Sequence, residues 1–288
     1  MDYRLTIVST VDVLREELAV ARGEGKKIAL IPTMGALHEG HLSLVDQAKE
    51  RADFTAVSIF VNPAQFGEGE DLENYPRSLS DDIRLLENRK VDLVFTPQVS
   101  EMYGDTFSTN ISVSGISDCL CGASRPHHFD GVATIVTKLL LQARPDFAVF
   151  GEKDFQQLQV IKRVVQDLNI ETEIVGTPIV RGGDGLALSS RNEYLSDEQK
   201  EIAATLYKAL QETAKQLLQG SDIEPTVKET IEKLRDAGFE PEYVEVRDEQ
   251  NLALTSGKLE SEENIDNPQR LFVAARLGDT RLIDNIAL

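Results

Sequence analysis

What most constrains the fold is an alternation along the first two-thirds of the chain. Short apolar runs stand at IALI (28–31), TAVSIFV (55–61), VDLVF (91–95), DFAVF (146–150) and TEIVG (172–176). Between them lie helix-period segments near residues 10–22, 40–51, 78–89, 130–143 and 154–168. The runs are β-branched and apolar on both faces, as strands covered from both sides are. Strand–helix alternation of this kind predicts an α/β fold with a doubly wound parallel sheet. In such sheets ligands bind beyond the carboxyl ends of the strands.

The pattern changes near Arg181-Gly182-Gly183-Asp184-Gly185, where the glycines permit a sharp turn. After it come a long helix (197–219), a second helix (223–237), and strands in PEYVEVRD, RLFVAARLG and TRLIDNI. Ser196 with Gln199 forms a capping-box signature at the start of the long helix. We therefore expect two domains, 1–183 and 184–288, the second smaller and α+β. The acidic stretch 256–268 reads as a solvated loop.

Composition excludes several classes. There are 30 Lys and Arg against 49 Asp and Glu, a net charge of −19, which argues against a nucleic-acid partner. Positive charge at any anion site must then be local. No apolar run reaches the ~18 residues of a membrane helix, and the charged start does not resemble a signal peptide. The two cysteines, Cys119 and Cys121, are too few for a disulfide framework or a structural zinc site. A cytoplasmic location is the expectation.

The stretch PTMGALHEGHLSLV (32–45) follows the first predicted buried strand and opens a helix. It carries two of the four histidines, His38 and His41, on one face of the first turn, with Gly35 and Gly40 beside them. A helix N-terminus favours phosphate, and the glycines let a nucleotide approach the backbone. The plain alternative is two surface histidines that cap a turn. The pattern resembles the HxGH signature of adenylyl-transferring enzymes, whose histidines stabilise the transition state at the α-phosphate.

Further polar clusters follow other strand ends: VNPAQF (61–66), YPRSLSDD (75–82), RPHHFDGV (125–132), GEKDFQQL (151–158) and LALSSRNEYLS (186–196). In this order, together with VAARLGDTRLIDNI (273–286), they resemble the pantoate–β-alanine ligase (pantothenate synthetase) family. The resemblance implies a Rossmann-like N-terminal domain with a smaller C-terminal lid, a homodimer, and ligation of pantoate and β-alanine to pantothenate through a pantoyl-adenylate. ATP with Mg²⁺ would be consumed, and AMP and pyrophosphate released.

It also implies the site. Met34, Gly35, His38, Gly40, His41, Gly151, Lys153, Asp154, Val180, Leu188, Ser189, Ser190 and Arg191 match ATP-binding positions. Many relatives have Met or Lys where Leu188 stands, a change a main-chain contact with adenine tolerates. His41, His38, Lys153 and Arg191 are the expected catalytic set. Lys153 suits phosphate as a mobile point charge, and Arg191 as a strong donor. Gln65 and Gln157, with Asn62 and Tyr75, are expected to hold pantoate or β-alanine: neutral amides bind a carboxylate without quenching its nucleophilic oxygen. Asp81 and Asp82 are expected at Mg²⁺, which takes one or two carboxylates besides phosphates. Ser80 is the expected cap of their helix. Arg125 and His128 would order the pantoate side.

The chain has no GxxxxGK[ST] loop and no nucleophile elbow, so neither a P-loop kinase nor a covalent enzyme intermediate is expected. Other readings of the HxGH turn are a nucleotidylyltransferase that stops at the adenylated product, a nucleotide sensor without turnover, and an aminoacyl-tRNA synthetase. Acidity and length disfavour the last.

Overall fold

The computed structural model describes residues 3–259 and 268–288. In chain order the elements are β1 (Thr6–Val8), α1 (Val11–Gly23), β2 (Ile28–Thr33), α2 (Glu39–Lys49), β3 (Phe54–Ile59), α3 (Leu79–Asn88), β4 (Leu93–Phe95), α4 (Val99–Met102), α5 (Cys121–Ser124), α6 (His128–Ala143), β5 (Phe147–Gly151), α7 (Phe155–Asp167) and β6 (Glu173–Thr177), followed by α8 (Asp197–Leu218), α9 (Ile223–Asp236), β7 (Glu240–Asp248), β8 (Gln269–Leu277) and β9 (Thr280–Ala287). Single turns of 3₁₀ helix stand at Pro63–Gln65, Glu152–Asp154 and Ser190–Tyr194. The chain divides into two compact units. The first takes the chain up to Ser114, Arg125–Glu152 and Val160–Pro178; the second takes Gly115–Ser124, Lys153–Gln159 and the chain from Ile179 on.

The first unit holds a six-stranded sheet in the order β1-β4-β3-β2-β5-β6. Every pairing in it is parallel. The chain runs outward from β2 through β3 to β4, then crosses to β5 on the other side of β2. β2 and β5 therefore flank the topological switch point, the usual ligand crevice of such sheets. The strands form because they are buried on both faces: Ile28, Ala29, Leu30 and Ile31 of β2 are at most 1% exposed. One face packs on Leu42, Val45 and Ala48 of α2 and on Leu86 of α3. Each such Leu or Val contributes about 1.5–3 kcal/mol by burial. The Asp146 carboxylate accepts the Ile28 N–H at 2.7 Å and joins the starts of β5 and β2.

Local signals set the helix ends. Thr10 caps α1 by accepting the Val13 N–H. α3 differs from expectation. Its N-cap is Ser78, not Ser80, and the Ser78 hydroxyl turns to the Asp81 carboxylate rather than to the backbone. α6 is the most deeply buried helix of this unit, and its start turns on His127 in the left-handed region.

In the second unit β7, β8 and β9 form an antiparallel sheet in that order. Its core joins Val244, Val246, Leu271 and Val273 to Leu206, Leu210 and Leu217 of α8. Ser196 and Gln199 cap α8 reciprocally, as their spacing predicts. Of the acidic stretch 256–268, residues 260–267 lie outside the described residues.

The glycine turn at 182–185, which the sequence marks as a sharp turn, is laced from within the second unit. Gly182 N–H donates to Leu186 O, Gly185 N–H to Gly182 O, and Leu186 N–H to Asp184 Oδ1. The Arg181 guanidinium grips both oxygens of Asp284 at 2.6 and 2.9 Å and lies 3.5 Å over the Tyr207 ring. Gly185 is required here: its φ is +94°, and a Cβ would lie 3.0 Å from Tyr207. These ties set the shape of the turn.

Candidate functional site

The histidine turn lies at the carboxyl end of β2. His38 is the N-cap of α2, and its Nδ1 accepts the Gly40 N–H at 3.1 Å. In return the His38 N–H donates to Nδ1 of His41 at 3.3 Å. Two backbone donors orphaned at a helix start are thus satisfied by imidazoles. The chemical consequence is a tautomer. Each Nδ1 is an acceptor, so the ring proton of each neutral imidazole resides on Nε2. The rings stack obliquely with centroids 4.2 Å apart. Of the two alternatives in the sequence, the capping role is the one these bonds show, and it uses only the Nδ1 edge of each ring.

The turn is held from α3. Asp82, 2% exposed, accepts the Ala36 N–H at 3.0 Å and the Leu37 N–H at 2.7 Å. Ala36 has φ +50° and Gly35 φ +84°, and a Cβ on Gly35 would lie 2.9 Å from Asp82 Oδ2. Asp82, expected at Mg²⁺, accepts one main-chain N–H of the turn on each carboxylate oxygen. Asp81, beside it, is exposed and bonded to Ser78 and Arg84. The Ser78 hydroxyl, above all, holds the Asp81 pKa below its ordinary value. Among the described residues no group of three or more His, Cys, Asp and Glu side chains is arranged to hold a metal ion.

A second cluster surrounds Gln65. Asn62 is 1% exposed, and its amide is wholly committed. Oδ1 accepts from the Ala64 N–H and from the Tyr103 hydroxyl, and Nδ2 donates to Gln65 Oε1 and Gly131 O. A carboxamide has two donors and two acceptor sites, and these four bonds use all of them. Asn62, expected as a substrate ligand, braces Gln65 with one of these bonds. The Gln65 carbonyl accepts from His128 Nδ1 at 2.8 Å, while Arg125 meets His128 Nε2 at 3.1 Å. Arg125 is itself gripped by both oxygens of Glu70, at 2.7 and 2.6 Å. Burial pushes the Glu70 carboxyl up, but its bonds to Arg125 outweigh this and hold it below its usual range. Gln65 Nε2 lies 3.2 Å from Met34 Sδ, on the histidine loop. Tyr75 is 6% exposed and packs edge-on against Phe66.

The remaining expected residues belong to the second unit, except Gly151, which ends β5. Lys153 and Asp154 form a 3₁₀ turn, and the Lys153 carbonyl accepts from Asn285 Nδ2 at 3.0 Å. Gln157 is half-buried, while its neighbour Gln156, 5% exposed, is structural: it binds the main chain of Cys121, Ile116 and Cys119. Val180 O accepts the Leu188 N–H at 3.0 Å, so the two expected adenine contacts are partners. Ser189 caps the 3₁₀ turn by accepting the Arg191 N–H; Ser190 is buried, and Arg191 half-buried. Of the expected cationic four, the first unit thus holds His38 and His41, and the second Lys153 and Arg191.

Sequence reasoning missed Tyr103, Gly131, Glu70, Asp284 and Asn285. Only Gly131, Asp284 and Asn285 carried a signal, by lying inside motifs whose other residues drew the attention.

A parallel sheet of this order, with helices on it and a helix opening at the end of its switch-point strand, defines a Rossmann-like α/β protein. The pantoate-beta-alanine ligase family model matches residues 6–287. Pantothenate synthetase of Acinetobacter baumannii (strain ATCC 17978) is 51% identical over 279 residues, 96% of each chain. That of Rhizorhabdus wittichii is 50% identical over 285 residues, 99% of each chain. The crystal structure of pantothenate synthetase from Thermus thermophilus superposes with a TM-score of 0.90 at 43% identity, covering 98% of both chains. A pantoate-beta-alanine ligase structure from Francisella tularensis, complexed with beta-gamma ATP and beta-alanine, gives 0.81 at 34% identity and covers 99% of this chain and 98% of that one. The chain belongs to the pantoate–β-alanine ligase family. It is a ligase, and the family's reaction is the joining of pantoate to β-alanine.

Proposed function

We propose that the chain makes pantothenate in two half-reactions driven by ATP. In the first, a pantoate carboxylate oxygen attacks the α-phosphorus of ATP in line. The bond from that phosphorus to the α,β-bridging oxygen breaks, and pyrophosphate leaves. In the second, the β-alanine amine attacks the acyl carbon of the pantoyl-adenylate and loses a proton as AMP departs.

The observation that carries this reading is the reciprocal cap of His38 and His41, which leaves Nε2–H as the donor edge of each ring. Donors fixed before reaction stabilise charge developing on phosphate oxygens without reorganising. Loss of one such donor costs about 100–1,000-fold in rate. Lys153 and Arg191 are assigned to the phosphates, and Val180, Leu188, Ser189 and Ser190 to the nucleotide. Gln65 and Gln157 are assigned to pantoate.

Mg²⁺ enters with ATP as part of that substrate. Asp81 suits it as a carboxylate contact, being ionised and exposed, whereas Asp82 is buried and each of its oxygens already accepts a main-chain N–H. The homodimer rests on the family resemblance, and the cytoplasmic location on the scarcity of cysteine.

The test is isotopic. Pantoate alone must support exchange of labelled pyrophosphate into ATP, and AMP must accumulate only once β-alanine is added. ADP in place of AMP, or exchange without pantoate, would overturn the route. Transfer that stops at an adenylated product would favour a nucleotidylyltransferase.

A further inference from the structure

Gln65 closes a chain of hydrogen bonds whose sense is set by groups that cannot exchange roles. The Ala64 N–H can only donate, and it faces one end of the Asn62 amide at 3.3 Å. The Gly131 carbonyl can only accept, and it faces the other end at 3.2 Å. Asn62 therefore has one orientation, with Oδ1 toward Ala64 and Nδ2 toward Gly131. The Tyr103 hydroxyl, 2.6 Å from Oδ1, reinforces it as a second donor. Burial pushes that phenol up to about 12, so it keeps its proton throughout the working range. Because Nδ2 also faces Gln65 at 3.1 Å, the near atom of Gln65 must be the acceptor Oε1. The NH₂ end is left on the Met34 side, 3.2 Å from a thioether sulfur, which is a weak acceptor.

We propose that Tyr103 and Gly131 are positioning residues of this ligase, which act through Asn62 to fix Gln65 with its NH₂ group outward, so that this position selects an oxygen acceptor of the acid substrate. This rests on the reading of Gln65 as a pantoate ligand. The donor is oriented before substrate arrives and, among the described residues, its bond is to sulfur, so a carboxylate or hydroxyl oxygen replaces a poor partner with a good one. Gly131 has a second part. A Cβ there would lie 2.2 Å from Ala64 O and 2.7 Å from Gln65 Cα, so only glycine lets α6 approach the turn that carries Gln65.

Steady-state kinetics on the full-length enzyme test this, with each variant's melting temperature measured alongside. Tyr103→Phe removes one donor and nothing else; we expect the KM for pantoate to rise about 3–10-fold, the size of one hydrogen bond, with the KM for ATP unchanged. Asn62→Asp offers Gln65 an acceptor, so the glutamine amide must turn over and present its oxygen outward. The pantoate KM should then rise more than about 100-fold, again without change for ATP, because two acceptors oppose each other. Gly131→Ala should lose a similar factor in kcat/KM for pantoate. Gln65→Ala separates the two claims. If it leaves the pantoate KM unchanged, the reading of Gln65 fails and the proposal with it. If it raises that KM while folded Tyr103→Phe and Asn62→Asp do not, or if those variants raise both KM values alike, the proposal alone is overturned.

Discussion

Replacing Asp82 tests whether α3 holds the histidine turn. The side chain is 2% exposed and makes two charge-assisted bonds, to the Ala36 and Leu37 N–H groups at 3.0 and 2.7 Å. Asp82→Asn keeps one acceptor and points an NH₂ group at the other N–H. One buried donor left without a partner costs about 1–3 kcal/mol, and Asp82→Ala, which strands both, about twice that. Against a typical total of about 5–15 kcal/mol these are large losses, readable as shifts in the urea midpoint. The activity effect should be larger still. The turn holds Ala36 at φ +50° and carries the cap that aims both histidines. A displacement of about 1 Å at positioned groups costs on the order of 100-fold, which pantoate-dependent pyrophosphate exchange would register. Asp81→Asn, at an exposed neighbour, should stay within about 0.5 kcal/mol of wild type. The opposite result refutes the reasoning: Asp82→Asn with wild-type stability, whose lost activity returns on raising Mg²⁺, would make Asp82 a metal contact and not the anchor of the turn.

Other predictions concern the braces. The Glu70 pKa is held low by Arg125, so its contribution to stability is complete above the unfolded value of about 4.3 and fades as pH falls through the lower folded value. The stability gap between wild type and Glu70→Gln should accordingly shrink below about pH 4, as followed by denaturant titration at several pH values. Arg181→Met strands the carboxylate of Asp284, 2% exposed, and should cost about 3–5 kcal/mol by urea unfolding. Asn285→Ala removes the bonds to Lys153 O and to Arg270, and should lower both the melting temperature and kcat. A fall in melting temperature alone would separate Asn285 from the lysine's work.

The sheet was legible because burial on both faces writes an unbroken apolar run, and all five runs beyond the N-terminal strand became strands within two residues of their expected ends. Short elements such as α4 and α5 were not, since four residues carry no periodicity. The histidine turn was legible because histidine is scarce and two of the four stand together there, with Gly35 and Gly40 beside them. The jobs of Asp82 and Asn62 were not. An acid at a helix start reads as a charge for the dipole, and a polar residue after a strand reads as a ligand. What decides each role is a partner tens of residues away: Ala36 and Leu37 for Asp82, Gly131 and Tyr103 for Asn62. Tyr103 leaves no local trace, because its bond to Asn62 spans 41 positions.

The pairing of β9 with the loops it secures has a consequence for biosynthesis. Asp284 closes on Arg181 across 103 positions, and Asn285 reaches Lys153 across 132. While a ribosome is still translating the sixth parallel strand, neither loop has its clasp. A nascent chain can lay down its first sheet early, yet the lysine and the glycine turn stay unsecured until the codons for Asp284 and Asn285 have been read.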